Sequence, residues 1–506
     1  MPTQRPNILF ITSDQHRGDC YGFRGRKVRT PHLDLLAAEG ASLEVMTTPC
    51  VVCQPSRASI LTGVLPRTHG VHDNGIDLAP ERGERGYAAA LSQAGYHTGI
   101  IGKAHFATYH VFAPTGTPES VLGSADVSPG WRGPYMGFDH AELVLIGHNW
   151  WLPEQAPKGL AYEEWYYADG RGDLKNQWLW ASHRDHGGAP QTWSSQLPEA
   201  WHNSTWVADR SIAYLQAHRD EPFCLWASFP DPHHPFDAPE PWASLHRPED
   251  VDLPVHRQRT LQGKPWWHEA ALYNEIPGEH KEIRQKYSRM GELSDTHLRE
   301  IIANYYGQIA LIDHSVGRIL MALNQLGLDD NTYVVFTSDH GDWMGDHGLM
   351  LKGPMAYEGL LNVRGIIKGP GITPGQVSRQ PVSTMDLPAT FLDWARAPAL
   401  APMHGQSLRG VLAGTEQRAG TLSEWELLPG RVGVGLSLIT ARSATAKLTR
   451  ELQSGAGEMY DLARDPHELN NLFDHPAHAE LQAQLQALID ARPQDMLPHQ
   501  TQVGMA

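Results

Sequence analysis

Cys53 opens the run Cys53-Gln54-Pro55-Ser56-Arg57, which continues as Ala58-Ser59-Ile60-Leu61-Thr62-Gly63. Pro55 suits a first helical position, so the run predicts a helix with Cys53 at its mouth, where free N–H groups attract anions. A cysteine placed there is a candidate nucleophile. A buried structural cysteine is one alternative, and the Cys50-x-x-Cys53 spacing offers a redox dithiol as another. Two further pairs, Asp14-Gln15 and Asp339-His340, present three oxygen side chains and one imidazole. Such a set can hold a hard divalent cation with positions left for a nucleophile and substrate oxygens, and the imidazole admits manganese. Either aspartate alone reads as a cap or a solvated group; both together beside a candidate nucleophile read as a site.

The elements that must position these residues share a pattern. Asn7 to Ser13 precedes Asp14, Thr98 to Gly102 precedes Lys103, Phe223 to Phe229 precedes Asp231 and His233, and Tyr333 to Ser338 precedes Asp339. Each is a short aliphatic or β-branched run, as in a parallel sheet covered on both faces, where ligands gather beyond the carboxyl ends of the strands. Helical patterns lie between them, at Pro31 to Gly40, Tyr87 to Gly95 and Leu298 to Leu326. The alternation predicts an α/β layered core. Between Trp131 and Trp267 lie most of the sixteen tryptophans, with weak periodicity. This stretch, about residues 131–290, reads as insertions around the site, able to line a pocket for an aryl or sugar group or simply to pack loops. Short strand-like runs at Gly435 to Thr440 and Ala446 to Leu452, then a helix from Ala477 to Ala491, predict a smaller α+β subdomain over residues 416–506 after a main domain over 1–415.

The run from Cys53 to Gly63 resembles the C-x-P-S-R signature of the type I sulfatases, in the alkaline phosphatase superfamily. Other matches follow in the family's order. Gly102-Lys103-Ala104-His105 resembles G-K-x-H, and Pro232-His233-His234-Pro235-Phe236 resembles P-H-x-P-F. Gly345-Asp346-His347-Gly348 with Lys352 and Tyr357-Glu358 is similar to the stretch carrying a second sulfate-binding lysine. Glu458-Met459-Tyr460-Asp461-Leu462 with Asp465-Pro466 and Asn471-Leu472 looks like the tail element. One departure is Gln15, where many members carry a second aspartate.

The resemblance implies an alkaline-phosphatase-like α/β/α sandwich with a mostly parallel central sheet. It also implies that Cys53 is oxidised by a formylglycine-generating maturation enzyme to formylglycine (3-oxoalanine), whose hydrate is the nucleophile. Asp14, Gln15, residue 53, Asp339 and His340 would hold one divalent metal, calcium being usual and manganese the alternative. Asp339 would accept the nucleophile's proton and Arg57 would hold the hydrate and the metal ligands. Lys103 and Lys352 would neutralise the sulfate oxygens, His233 would protonate the leaving oxygen, and His105 would draw a proton from residue 53 to expel sulfate. His347 and Asn74 are further candidates for the substrate site. Asn74, within Asn74-Gly75, is equally a turn signal.

Composition narrows the remaining classes. A net charge of −16 over 506 residues, without a long Lys/Arg run, argues against nucleic-acid or anionic-membrane partners. Met1 to Asn7 passes directly into Ile8-Leu9-Phe10-Ile11, too short for a signal or membrane-spanning segment, which predicts a soluble, cytoplasmic chain. Four cysteines suggest no disulfide framework. The expected substrate is a small sulfate monoester, aryl, sugar or alkyl. A phosphonate monoester or phosphodiester hydrolase of the same superfamily is the nearest rival, resembling this chain in its Asp-Gln and Asp-His pairs. Lys103, His105 and Ser56 favour the sulfatase. A sulfated-glycan binding protein without turnover is the non-enzymatic alternative. Oligomeric state is not legible, and a homo-oligomer is compatible with everything read above.

Overall fold

The computed structural model describes residues 5–145, 160–276 and 289–505. Eight strands form the central sheet: β1 (Asn7–Ser13), β2 (Ala41–Leu43), β3 (His97–Lys103), β4 (His140–Val144), β5 (Phe223–Ser228), β6 (Thr332–Ser338), β7 (Gly365–Lys368) and β8 (Gln376–Ser378). Their order is β8-β2-β7-β6-β1-β5-β3-β4. Among the described residues β7 alone in this sheet runs antiparallel, to both β2 and β6; every other pairing is parallel. β1 is central because all seven of its residues are buried, as its unbroken apolar run requires of a strand covered on both faces.

The two-residue period of β1 divides the core. Ile8 and Phe10 face one helical layer, made by α2 (Cys53–Thr62), α3 (Tyr87–Gln93) and α6 (Asp386–Ala395). Leu9 and Ile11 face the other, made by α1 (Pro31–Glu39), α4 (Asn203–Ala217) and the long α5 (Asp295–Gln325). The result is the three-layer α/β/α sandwich with a mostly parallel sheet expected from the sequence.

One sequence expectation needs adjustment. Helix α2 begins at Cys53 itself, so Pro55 is its third residue and not its first. The first four N–H groups of a helix lack intrahelical acceptors, so a proline anywhere in that turn forfeits no helical hydrogen bond. The described tryptophans of the insertion mostly pack against neighbouring rings and the core. Trp178 stacks on Trp201 at 5.5 Å and Trp180 on Trp193 at 5.2 Å, while Trp206, Trp226 and Trp267 are buried. Trp150 and Trp151 lie outside the described residues.

Toward the C-terminus, β9 (Thr421–Leu427), β10 (Leu436–Arg442), β11 (Ala446–Glu451) and β12 (Gly457–Asp461) form an antiparallel meander. Helix α7 (Ala479–Asp490) closes one face through Leu485 and Ile489 against Ile439, Leu448 and Met459. The unit is bonded to the body: Glu424 N donates to Pro49 O at 2.8 Å, and Arg442 pairs with Glu358 at 3.0 Å. The last residues return to the main body, where Gly504–Met505 pairs antiparallel with His110–Val111.

Phe10 stands between Trp226 (ring centroids 5.0 Å apart) and Phe391 (5.3 Å), joining β1 to β5 and α6. Phe10→Ala is expected to destabilise the fold by about 3–5 kcal/mol through lost burial and a residual cavity. Denaturant unfolding of the two proteins measures this directly.

Candidate active site

Four adjacent strands, β6, β1, β5 and β3, deliver polar residues to one edge. Asp14 and Gln15 follow β1, Lys103 ends β3, Asp231 and His233 follow β5, and Asp339 and His340 follow β6. The carboxyl ends are clamped together by hydrogen bonds: Asp14 N donates to Asp231 O (2.9 Å) and Ser338 Oγ donates to Ser13 O (3.0 Å). Gly102 has φ +106°, and a Cβ there would collide with the Ser228 carbonyl of β5, so only glycine lets β3 bring Lys103 this close. Helix α2 enters from above with Cys53 at its first position.

Ser56 and Arg57 explain why the helix docks as it does. Ser56 Oγ donates to Asp339 O at 2.7 Å and accepts from Thr48 Oγ1 at 2.9 Å. Arg57, fully buried, donates from Nε to Asp339 Oδ2 at 2.8 Å. It also donates to Lys103 O and Ser228 Oγ, both at 2.8 Å, and its Nη2 is 3.5 Å from Asp14 Oδ2. One guanidinium fork therefore fixes both aspartates relative to Cys53.

The acceptor atoms of Asp14, Cys53, Asp339 and His340 lie within 4.8 Å of one another. His340 Nδ1 faces Gly341 O at 2.8 Å, and because a carbonyl only accepts, the proton is on Nδ1 and the Nε2 lone pair points inward, 3.1 Å from Cys53 Sγ. Gln15 Oε1 turns toward the same space, accepting from Lys352 Nζ at 3.0 Å. Oxygen donors, one imidazole with a fixed tautomer and dense burial fit a divalent cation, which Asp14, Gln15, Asp339, His340 and residue 53 would hold.

Positive side chains complete the site. Lys103 Nζ is hydrogen-bonded to Asp14 Oδ2, and Lys352 Nζ lies 3.1 Å from Cys53 Sγ and 3.1 Å from His233 Nε2. Burial would push the Cys53 thiol up, but the Lys103 and Lys352 charges outweigh it and hold the group well below its ordinary value. Burial and the Cys53 sulfur would raise Asp14, yet Lys103, His233 and Arg57 bring it down to about 2. His105 falls to about 4 through burial and the Lys103 charge, and His233 is lowered by burial and Lys352. Both ring nitrogens of His105 are buried, and among the described residues neither has a partner of good hydrogen-bond geometry.

Of the residues singled out in the sequence, Asp14, Gln15, Cys53, Arg57, Lys103, His233, Asp339, His340 and Lys352 converge, with His105 behind Cys53. His347 and Asn74 stand differently. His347 adopts φ +54°, stacks on Tyr357 at 3.8 Å and lines a separate cavity of about 430 Å³ with His256, Arg442 and Glu468. Asn74 Oδ1 accepts from Gln54 N at 3.0 Å, so its amide oxygen satisfies a free N–H of the nucleophile helix.

Two acids were not found from the sequence. Asp342 Oδ1 accepts from Met344 N (2.6 Å) and Leu351 N (3.0 Å) while Oδ2 accepts from Gln15 Nε2, so it shapes the turn carrying Lys352 and orients Gln15. Glu119 accepts from the N–H groups of His105, Phe106 and Ala107, holding the turn in which His105 has φ +54°. Most of their partners are backbone groups, which leave no residue-type pattern; only the position of Asp342 within Ser338-Asp339-His340-Gly341-Asp342 hinted at a role.

The fold is the alkaline-phosphatase-like one. The phosphonate monoester hydrolase of Agrobacterium radiobacter superposes with a TM-score of 0.76 at 25% identity, over 97% of this chain and 96% of that one. The sulfatase family model matches residues 6–397, and that of the N-sulphoglucosamine sulphohydrolase C-terminal region matches 345–495. An arylsulfatase of Clostridium perfringens is 32% identical over 94% of this chain and 92% of its own length. The multifunctional alkaline phosphatase superfamily protein PehA of Trinickia caryophylli is 27% identical over 94% of this chain and 93% of its own. The chain belongs to the sulfatase family and is a sulfuric ester hydrolase.

Arg57→Lys keeps a charge but loses the fork that spans Asp14 and Asp339. Activity is expected to fall by about 10–100-fold, the usual cost of losing a group that orients metal ligands. Steady-state kinetics on protein with an unchanged near-ultraviolet circular dichroism spectrum checks this.

Proposed function

We propose that this protein hydrolyses a sulfate monoester to an alcohol and inorganic sulfate, with residue 53 as nucleophile after its conversion to formylglycine by a maturation enzyme. The observation that carries this reading is the convergence of two ammonium groups, Lys103 and Lys352, on a buried helix-mouth Cys53 beside the Asp14, Gln15, Asp339 and His340 donors. The aldehyde hydrate supplies the attacking oxygen. The divalent cation, calcium in preference to manganese because most donors are hard oxygens, supplies Lewis acidity.

The chain's own residues carry the rest. Lys103 and Lys352 bind the sulfate oxygens and neutralise charge that shifts during the reaction, a role of lysines in oxyanion sites. Arg57 keeps Asp14 and Asp339 in register with residue 53. His233 has its Nδ1–H on His234 O at 2.6 Å and its Nε2 accepting from Lys352 Nζ at 3.1 Å; once protonated at Nε2 as well, it would deliver that proton to the leaving oxygen. His105, buried and in electrostatic contact with residue 53, receives a proton from that residue as sulfate departs.

A second reading is favoured by a specific observation: the 0.76 TM-score to a phosphonate monoester hydrolase extends over nearly the whole chain. Phosphonate monoesters are tetrahedral monoanions like sulfate monoesters, so turnover of both at one site follows from the same charges.

The deciding experiment is the mass of the residue-53 peptide from protein made in a maturation-competent host, paired with aryl sulfate and phosphonate monoester assays. An aldehyde together with faster sulfate turnover supports the reading. A retained thiol in active protein, or turnover of phosphonates alone, overturns it.

Lys103→Ala is expected to lower kcat by about 10²–10³-fold, as for loss of one oxyanion partner. Chelation is expected to abolish turnover, with calcium restoring more than manganese. The pH profile follows from His233. The acid form is active, and burial with Lys352 lowers its proton affinity. The alkaline limb for substrates with poor leaving groups therefore falls below the ordinary imidazole value of about 6.5. His233→Ala removes that limb.

A further inference from the structure

A second group of ligating side chains lies away from Cys53. His72, Glu426 and His499 each bring one donor atom, and the three atoms lie within 4.8 Å of one another. His72 is only 2% exposed. Its Nδ1 is 3.2 Å from the Glu426 backbone carbonyl, which can only accept, so Nδ1 carries the proton and Nε2 keeps its lone pair. Among the described residues this buried Nε2 has no hydrogen-bond partner. Glu426 Oε1 is 3.0 Å from His499 Nε2, and Arg67 Nε stands 3.4 Å from Oε2. The two imidazoles meet edge-on with centroids 5.3 Å apart, and the His499 side chain is 59% exposed, leaving one side of the group open to water.

We propose that His72 Nε2, His499 Nε2 and Glu426 Oε1 bind a divalent transition-metal ion, zinc, with water as the fourth ligand. Two imidazoles and one carboxylate suit the tetrahedral preference of zinc and offer too few oxygens for calcium. The Nδ1–H contact of His72 with a backbone carbonyl is the outer hydrogen bond that orients ligating histidines. A buried imidazole lone pair without a donor is a cost that the ion would remove.

The three ligands belong to three segments. His72 lies two residues before Asn74, which caps the nucleophile helix; Glu426 is on β9; His499 is on the C-terminal tail. That tail already lies along the His72 segment and its neighbours: Leu497 N donates to Arg67 O (2.8 Å), Gln502 Nε2 to Asn74 O (3.1 Å) and Val503 N to Gly75 O (2.8 Å). The ion would staple the tail to the loop that supports helix α2, outside the catalytic centre.

The test uses the full chain, stripped of metal and then saturated with calcium to fill the Cys53 site. Cobalt titration is expected to produce the visible ligand-field bands of a tetrahedral complex, displaced by zinc at one equivalent. Glu426→Gln and the exposed His499→Ala are expected to lose that equivalent while retaining calcium-dependent turnover. Zinc is expected to slow proteolysis of the tail in the parent protein and not in His499→Ala. An equivalent that persists unchanged in both variants, or no cobalt uptake once calcium is present, overturns the proposal.

Discussion

The buried guanidinium of Arg57 is the constraint on which the rest of the site depends. Taking a charge out of water costs several kcal/mol even after relaxation, so a fully buried arginine persists only if acceptors surround it. Here they are Asp339, Asp14, the Lys103 carbonyl and Ser228 Oγ. Each acceptor belongs to or follows a different strand, β6, β1, β3 or β5, so satisfying one side chain fixes four strand ends and the start of helix α2 together. The same argument runs in reverse for the acids. Asp14 and Asp339, also buried, are both paired with Arg57, and Asp14 with Lys103 as well, so their positions are fixed for the cation they would hold.

The sheet makes that arrangement possible. Neighbouring parallel strands end at the same edge, and their close spacing places side chains from four segments in contact although those segments are far apart in the chain. The close approach has a steric condition at Gly102, where β3 meets the Ser228 carbonyl. It also has a hydrogen-bonding condition: the turns beyond the strands leave backbone N–H groups inside the protein, and Glu119 and Asp342 accept them. Burial of the catalytic groups and burial of these supporting acids are thus parts of one requirement.

Much of this was legible in the sequence because it is local. The apolar run of β1 and the polar pair that follows it identify a covered strand and its active end without reference to anything distant. The motif residues Lys103, His233 and Lys352 were legible through resemblance, and the structure brings them to Cys53. The departures have physical causes. His347 is five residues from Lys352, but a left-handed backbone turns it onto Tyr357, and loop residues have no periodicity from which to read that turn. Asn74-Gly75 signals a turn correctly, yet the helix N–H that Asn74 caps belongs to a residue twenty positions earlier. Glu426 and His72 are 354 residues apart, and no spacing rule connects them.

The charge balance also shows where specificity must reside. At the centre of the site three cationic side chains, Arg57, Lys103 and Lys352, face two carboxylates, Asp14 and Asp339, and the proposed divalent ion would add to them. This surplus of positive charge favours an anionic ester but treats a sulfate monoester and a phosphonate monoester alike, since both are tetrahedral monoanions. Discrimination between them cannot come from net charge. It must come from groups that sense the leaving oxygen and the substituents on the central atom. The group proposed above for the leaving side is His233, stacked on His234 at 4.0 Å and hydrogen-bonded to its carbonyl. That stack fixes the direction of the His233 ring, so with His233 as the proposed proton donor the preference among esters would be set by whether the leaving oxygen of each lies along it.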